Sequence, residues 1–334
     1  MSGGFGATGR ARGLVRFSLT PAAQNTAAPG GQGPNGFNYP GIYYWTAPAG
    51  VYAVSVVCIG GGAGGGEGGL NYTNYNQPGY TGEVVSGGGG GGLAWANNIG
   101  VIPGATYQVC VGAGGLAANG IGAYGFRGGD GGSSYFIDPG TLCATGGTAG
   151  REYISATATY QPGQGGSPVF GANLTSQITG NTGGGTGGAG GYYPSGPITG
   201  NTGGGGGGAG GYTGSGGSGG GTGPYVAPAG GGGSGGSPGG WYVGGTGGGG
   251  VSINGQGTTA NNGTGPGVGN SNLGVPRSGG RGGYHGGGGG SIAYTPDNIT
   301  YTIAGAGADG AVMIIWGNAS VIRAYPSTNT AYIP

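Results

Sequence analysis

The chain has 334 residues, of which 106 are glycine and 4% are charged, with no lysine and a single histidine, His285; an ordinary globular chain carries about 7% glycine and about 25% charged residues. General acid–base chemistry needs a positioned titratable side chain, a phosphate-binding loop of the Walker type ends in Gly-Lys, and a zinc site needs about four Cys or His ligands at short spacing. Seven scattered acids (Glu67, Glu83, Asp130, Asp138, Glu152, Asp297 and Asp309), one histidine and three separated cysteines predict no catalysis, no cofactor and no metal, and a net charge of +1 argues against nucleic acid as a partner.

Residues 1–40 form a polar lead with Gly and Pro punctuation. It holds one predicted strand, Leu14 to Leu19, and a linker from Pro21 to Pro40. Arg10, Arg12 and Arg16 cluster there with Phe17, and they are the candidate anchor residues of an attachment arm. No apolar leader segment opens the chain, and no apolar run reaches the ~20 residues of a membrane helix, so a soluble product without membrane insertion is expected.

From residue 41 the pattern turns to strands. Ile42 to Trp45 is rich in β-formers, and Val51 to Ile59 is almost continuously apolar, as in a strand covered on both faces. Thr106 to Val111 alternates, with Tyr107, Val109 and Val111 on one face; Tyr135 to Ile137 is a further short candidate. Cys58 and Cys110 sit within apolar runs, and three cysteines are too few and odd in number for a disulfide framework, so all three are read as free thiols packed as small hydrophobes.

Residues 161–290 are dominated by glycine. Within them Ile178–Tyr192 recurs at Ile198–Tyr212 with a period of 20 residues and a single change, Thr186 to Gly206. A fixed period predicts stacked equivalent segments. Glycine runs such as Gly203 to Gly208 break the strict triplet of collagen. Their interruption by Tyr, Trp, Ile and Val, with little serine, argues against a flexible linker. Extended polyglycine helices, with three residues per turn and no internal hydrogen bonds, remain: without side chains they pack closely and bond backbone to backbone. Aromatic residues then fall at the reversals, and Tyr192, Tyr193, Tyr212, Tyr225, Trp241 and Tyr242 are the candidate binding residues, since Tyr with Ser, Gly and Asn makes adaptable recognition loops. Strand patterns return at Ile299 to Ile303 and Val312 to Trp316, before a tail from Arg323. The fold class expected is all-β: a β-sandwich over 41–330 whose N- and C-terminal strands pair, with 161–290 inserted as polyglycine type II helices.

The stretch Trp45 to Gly62 resembles the opening of the glycine-rich domain found in many phage tail and virion proteins. Gly87 to Trp95, Pro103 to Gly115, Gly128 to Phe136 and Leu142 to Gly147 resemble its successive glycine runs and strands. Gly310 to Gly317 with Arg323 to Thr330 is similar to the C-terminus of virion proteins from marine and cyanobacterial phages, with a longer link at Asn318 to Ile322. The resemblance implies a sandwich with inserted polyglycine helices, as in the glycine-rich region of anaplastic lymphoma kinase receptors. A related packing is implied by the small adhesin at the tip of T-even-type long tail fibres, whose loops read the host surface.

The function expected is that of a bacteriophage virion structural protein, a tail or capsid fibre component contributing to host attachment, assembled in the host cytoplasm and carried on the virion. Its partners would be other virion proteins, a host-surface glycan or protein, and further copies of itself, with a trimer the expected state. The competing readings are an adhesin recognising host polysaccharide through aromatic tips, and a capsid decoration protein without host contact. A depolymerase would need two carboxyl groups about 5–9.5 Å apart; Glu67 with Glu83 and Asp130 with Asp138 are the near pairs, and the last two read as turn formers.

Overall fold

In a computed structural model the described residues are 13–17, 40–67, 84–118, 127–150, 162–172, 179–191, 202–221, 233, 236, 245–253, 255–256, 277–292, 302–316 and 324–326. Their regular structure is essentially all β. The strands are β1 (Gly13–Phe17), β2 (Gly41–Thr46), β3 (Ala53–Ile59), β4 (Val84–Val85), β5 (Leu93–Gly100), β6 (Thr106–Val111) and β7 (Ser134–Phe136). They continue with β8 (Leu142–Ala144), β9 (Pro168–Phe170), β10 (Thr182–Gly185), β11 (Thr202–Gly203), β12 (Arg277–Ser278), β13 (Thr302–Ile303) and β14 (Ala311–Trp316).

Two five-stranded antiparallel sheets face each other, ordered β1-β14-β3-β5-β10 and β2-β6-β7-β8-β9. The C-terminal β14 pairs with β3, so N- and C-terminal strands of the sandwich region meet in one sheet as the sequence predicts, and its other side is taken by β1, from the segment expected to be an arm. Between the sheets lies a core of Val54, Val56, Cys58, Ala94, Ala96, Val109, Val111, Phe136, Leu142, Val312 and Ile314. Trp45 is its aromatic centre, with ring centroids 6.1 Å from Tyr107, 6.1 Å from Phe136 and 5.6 Å from Trp316.

The first sheet is buried on its other face too. Val57, Ile59, Leu93, Trp95, Ala311, Met313 and Ile315 pack under Ala209, Tyr212, Val251, Ile253 and Tyr325. Burial on both sides explains why β3 and β14 read as unbroken apolar runs instead of alternating ones.

The glycine segments stand on one end of this sandwich, and the strands run straight into them. β3, β6, β8 and β10 continue as 60–66, 112–118, 145–150 and 186–191; 86–92, 127–133, 162–167 and 304–310 return into β5, β7, β9 and β14. The glycine region therefore draws on the whole chain and is not confined to the predicted 161–290 insertion. Its backbone hydrogen bonds recur every third residue. Gly60 and Ala63 N–H donate to Gly92 and Gly89, Gly61 and Gly64 donate to Gly132 and Gly129, and Gly62 and Gly65 donate to Ala308 and Gly305, all at 2.8–2.9 Å. The carbonyls of the same segment accept from 115 and 118, from 147 and 150, and from 289 and 292. One segment thus donates to three neighbours and accepts from three others. The segments 86–92, 204–210 and 287–291 are surrounded in the same way.

Side chains are nearly excluded from these four inner segments, which carry only Ala63, Ser86, Ala209 and Ser291 besides glycine. A Cβ added at Gly62 would lie 2.0 Å from the carbonyl oxygen of Gly287, and one at Gly90 would lie 2.0 Å from that of Gly208. The repeat shows the same rule. Its copies run side by side, Gly188 N–H donating to Gly208 and Gly191 N–H to Gly205, but they are not equivalent as the period predicted. Thr186 is exposed, its hydroxyl 2.8 Å from that of Ser215. At Gly206, a Cβ would meet the Gly288 oxygen at 2.1 Å. The single difference between the copies falls where one is peripheral and the other enclosed.

Candidate functional site

Some glycine segments are joined beside the sandwich, as at 211–215, and others at the end of the lattice remote from it. Six links leave and re-enter there: 68–83, 119–126, 151–161, 192–201, 237–244 and 293–301. The links themselves lie outside the described residues, but chain connectivity fixes where each begins and ends. Each of the six contains tyrosine: Tyr72, Tyr75 and Tyr80; Tyr124; Tyr153 and Tyr160; Tyr192 and Tyr193; Tyr242 beside Trp241; Tyr294 and Tyr301. Of the residues expected to bind, Tyr192, Tyr193, Trp241 and Tyr242 belong to these links, and Tyr225 also lies outside the described residues.

The base of this end is built from the lattice. Glu67 pairs in a parallel bridge with Ile292, and the Ser291 hydroxyl accepts from Gly204 N–H at 2.6 Å while donating to the Val85 carbonyl at 2.9 Å. Ala118, Ile292 and Ala304 form a small apolar plug. Two short parallel pairs, β4 with β11 and β12 with β13, close the segment ends.

Tyr212 is a correction. Expected at an exposed tip, it is 3% exposed and lies at the sandwich end of its segment. Its ring stacks on Tyr325 at 5.6 Å, and its hydroxyl donates to Ser252 O at 2.9 Å and accepts from Gly255 N–H at 3.2 Å. Trp95 Nε1 donates to its carbonyl at 3.0 Å. The apolar outer face of the first sheet needs a cover, and the turn after Gly211 supplies it. Tyr325, from the tail, is held by Asn97, whose amide donates to Tyr325 O at 2.7 Å and whose oxygen accepts from Tyr325 N–H at 2.9 Å.

The N-terminal candidates divide. Arg10 and Arg12 lie outside the described residues. Arg16 and Phe17 lie in β1, opposite Met313 and Val312, so this part of the expected arm is a strand of the sandwich. Backbone pairing along an apolar edge accounts for the difference.

Asp130, Asp138 and Asp309 have structural partners. Asp130 pairs with Arg127 and accepts from Ala149 N–H at 2.7 Å, tying two glycine segments together. Asp138 closes the turn between β7 and β8, accepting from Gly140 N–H and the Thr141 hydroxyl at 2.7 Å each, the role its Asp-Pro-Gly context predicts. Asp309 lies where lattice meets sandwich. It accepts from Gly114 N–H at 2.7 Å, and burial pushes its carboxyl up to about 6. Burial, followed by the nearby Asp309, also raises the phenols of Tyr43 and Tyr284.

The three cysteines are free. Cys110 and Cys143 both flank Tyr135 on neighbouring strands, two strand spacings or about 9.5 Å apart, too far to bridge. Burial raises all three thiols, Cys143 to about 11 and Cys58 well above its usual value, which keeps them protonated and unreactive. Among the described residues no group of three His, Cys, Asp or Glu side chains is placed to hold a metal ion, and no helix is long and apolar enough to cross a membrane.

The family model for the glycine-rich domain matches residues 37–317. No curated protein matches the chain significantly.

Proposed function

We propose that this chain, which belongs to the glycine-rich domain family, is a non-catalytic structural component of a bacteriophage virion. In this reading it is a tail or capsid fibre component that contributes to host-surface attachment. The observation that carries the attachment reading is the convergence of six tyrosine-bearing links on one end of a side-chain-free scaffold. Binding residues are disproportionately placed on loops held by a rigid frame. Tyrosine supplies large, amphipathic contact area at low entropic cost. The particle itself is suggested by the likeness of Trp45 to Gly62, and of the C-terminal Gly310 to Gly317, to virion proteins.

The scaffold is read as a bundle of extended left-handed polyglycine helices. Support comes from the three-residue recurrence of hydrogen-bond partners and from the six neighbours of each inner segment, since a helix with three residues per turn aims successive N–H groups at three different neighbours. Seven residues of such a helix rise about 20 Å. Amide exchange tests this part: the Gly amides of 60–66 and 86–92 are expected to be among the most protected of the chain, and exchange at the rate of free peptide would rule the bundle out.

Attachment is tested by binding of the purified full-length protein to intact host cells and to particles lacking it. Expected is binding to both, with cell binding lost when Tyr192, Tyr193 and Trp241 are changed to Ala and particle binding retained. Docking to the particle with no cell binding would leave a decoration role. Binding to neither would overturn the reading.

A further inference from the structure

β1 is joined to the rest of the molecule in an unusual way. It is the edge strand of the first sheet, paired along its full length with β14: Gly13 with Trp316, Leu14 with Ile315, Val15 with Ile314, Arg16 with Met313 and Phe17 with Val312. It also lies ahead of the matched region, which supplies every other strand of both sheets. Without β1, the fully buried β14 would itself be an open edge, with its outward N–H and C=O groups unpaired.

The connection from β1 to β2 is longer than the geometry requires. Phe17 pairs with Val312 and Gly41 with Val111, both at the lattice end of their strands, and β14 packs across the core from β6, the neighbour of β2. The two ends to be joined are therefore separated by little more than the sheet spacing, about 10 Å. Between them lie 23 residues, Ser18 to Pro40, with four glycines, four prolines and no charge. Extended, such a stretch reaches about 75 Å, several times the distance to be closed.

From this slack we infer that β1 is an exchangeable strand whose second docking site is the β14 edge of another copy of this chain. The same five residues meet the same five partners in either arrangement, so exchange leaves the sheet contacts unchanged and needs no new surface. What decides between the two is concentration. A tether of 23 residues gives a chain's own β1 an effective concentration of the order of millimolar. Dilute protein therefore closes on itself. Copies packed side by side in an assembly exceed that value and become linked by their N-terminal strands, and a protein with a free β14 edge recruits the strand of its neighbour.

Cross-chain disulfide trapping tests the inference with full-length protein. One chain carries Val15→Cys and a second, isotopically heavier chain carries Ile314→Cys. These positions face each other in the ladder, where Cβ atoms lie about 4.5–5.5 Å apart. Expected is a disulfide joining the light chain to the heavy one, with a yield that rises about fiftyfold from 10 μM to about 1 mM, following the millimolar effective concentration of the tether. The heavy variant mixed with unsubstituted chain, which still carries Cys110, sets the background. Leu14→Cys with Ile315→Cys repeats the measurement one register position away, in case the substitution of the core residue Ile314 disturbs the sandwich. Internal closure of a doubly substituted chain, with no cross-chain product above background at any concentration for either pair, would overturn the inference.

Discussion

The sandwich and the glycine lattice are continuous along eight of the ten sandwich strands yet are held together by opposite means. In the sandwich, side chains do the work: Phe136, Leu142, Ile314 and their neighbours are fully buried and fill the space between two sheets. In the lattice, side chains are what must be absent. The inner segments satisfy their N–H and C=O groups on six neighbours, and a Cβ at most positions would strike a carbonyl oxygen near 2 Å. The comparison teaches that a buried region can be specified by what it lacks, and that the sign of a substitution's effect depends on which region receives it: removing atoms harms one, and adding them harms the other.

Four measurements would break or sharpen that contrast. The largest effect is expected for Gly206→Thr, which writes the first copy of the repeat into the second. With the Gly288 oxygen 2.1 Å from the new Cβ and the Gly248 nitrogen 2.8 Å away, a loss of about 5 kcal/mol or more is expected, visible as loss of folded protein or a collapse of Tm. Near-wild-type stability would mean that the lattice is not close-packed. Next is Phe136→Ala in the sandwich, where a large-to-small change costs about 3–5 kcal/mol by denaturant titration; a cost below about 1 kcal/mol would show a core that collapses around the loss.

The third concerns the joint between the regions. The buried Asp309 holds its proton up to about 6, above the ordinary carboxylate value of 3.8. Between those values the folded state binds more proton than the unfolded state, so stability falls as pH rises from about 4 to about 6, by at most about 3 kcal/mol, and this contribution then levels off. Asp309→Asn keeps an acceptor for Gly114 N–H and is expected to flatten this slope; an unchanged slope would assign it to another group. The smallest effect is the reciprocal swap, Thr186→Gly, on the exposed face. It forfeits one hydroxyl contact with Ser215 and some chain entropy, below about 1 kcal/mol. A large cost there would contradict the peripheral placement of the first copy.

Much of the sandwich was legible in the sequence, because side-chain pattern is what strands in a core require. The unbroken apolar run of β3 announced burial on both faces, that of β14 announced a buried strand, and the alternation of Thr106 to Val111 announced β6. β5 was harder: Leu93 to Gly100 carries Asn97, Asn98 and Gly100 on a central strand, and its glycine-rich lead matched a family pattern better than a strand pattern. β10, Thr-Gly-Gly-Gly, has no side-chain signal; its partner is chosen by the backbone of β5. The same reason hides the lattice. Segments without side chains carry no record of which neighbour each will meet, so composition predicts the kind of packing but not its map. Tyr212 shows the limit for the candidate site. It occupies the same place in the repeat as Tyr192, and only the apolar face of the first sheet, with Tyr325 laid across it, makes one of them a core residue. Nor could the common end at which the tyrosine-bearing links begin and end be read before the direction of each glycine segment was known.

The near-absence of apolar surface inside the lattice reaches into its calorimetry. Heat capacity on unfolding rises with newly wetted apolar area and falls with newly wetted peptide groups, by about 0.45 and 0.26 cal/K/mol for each Å² respectively. Melting the sandwich wets apolar side chains. Melting the four inner glycine segments wets mainly amides. The two halves of one molecule should therefore respond to temperature with different curvature, the sandwich with the usual arched dependence and the lattice with a nearly straight one. On cooling, the hydrophobic contribution to the sandwich weakens while the hydrogen-bonded array keeps its hold, so in the cold it is the side-chain-free half that gives the molecule its stiffness.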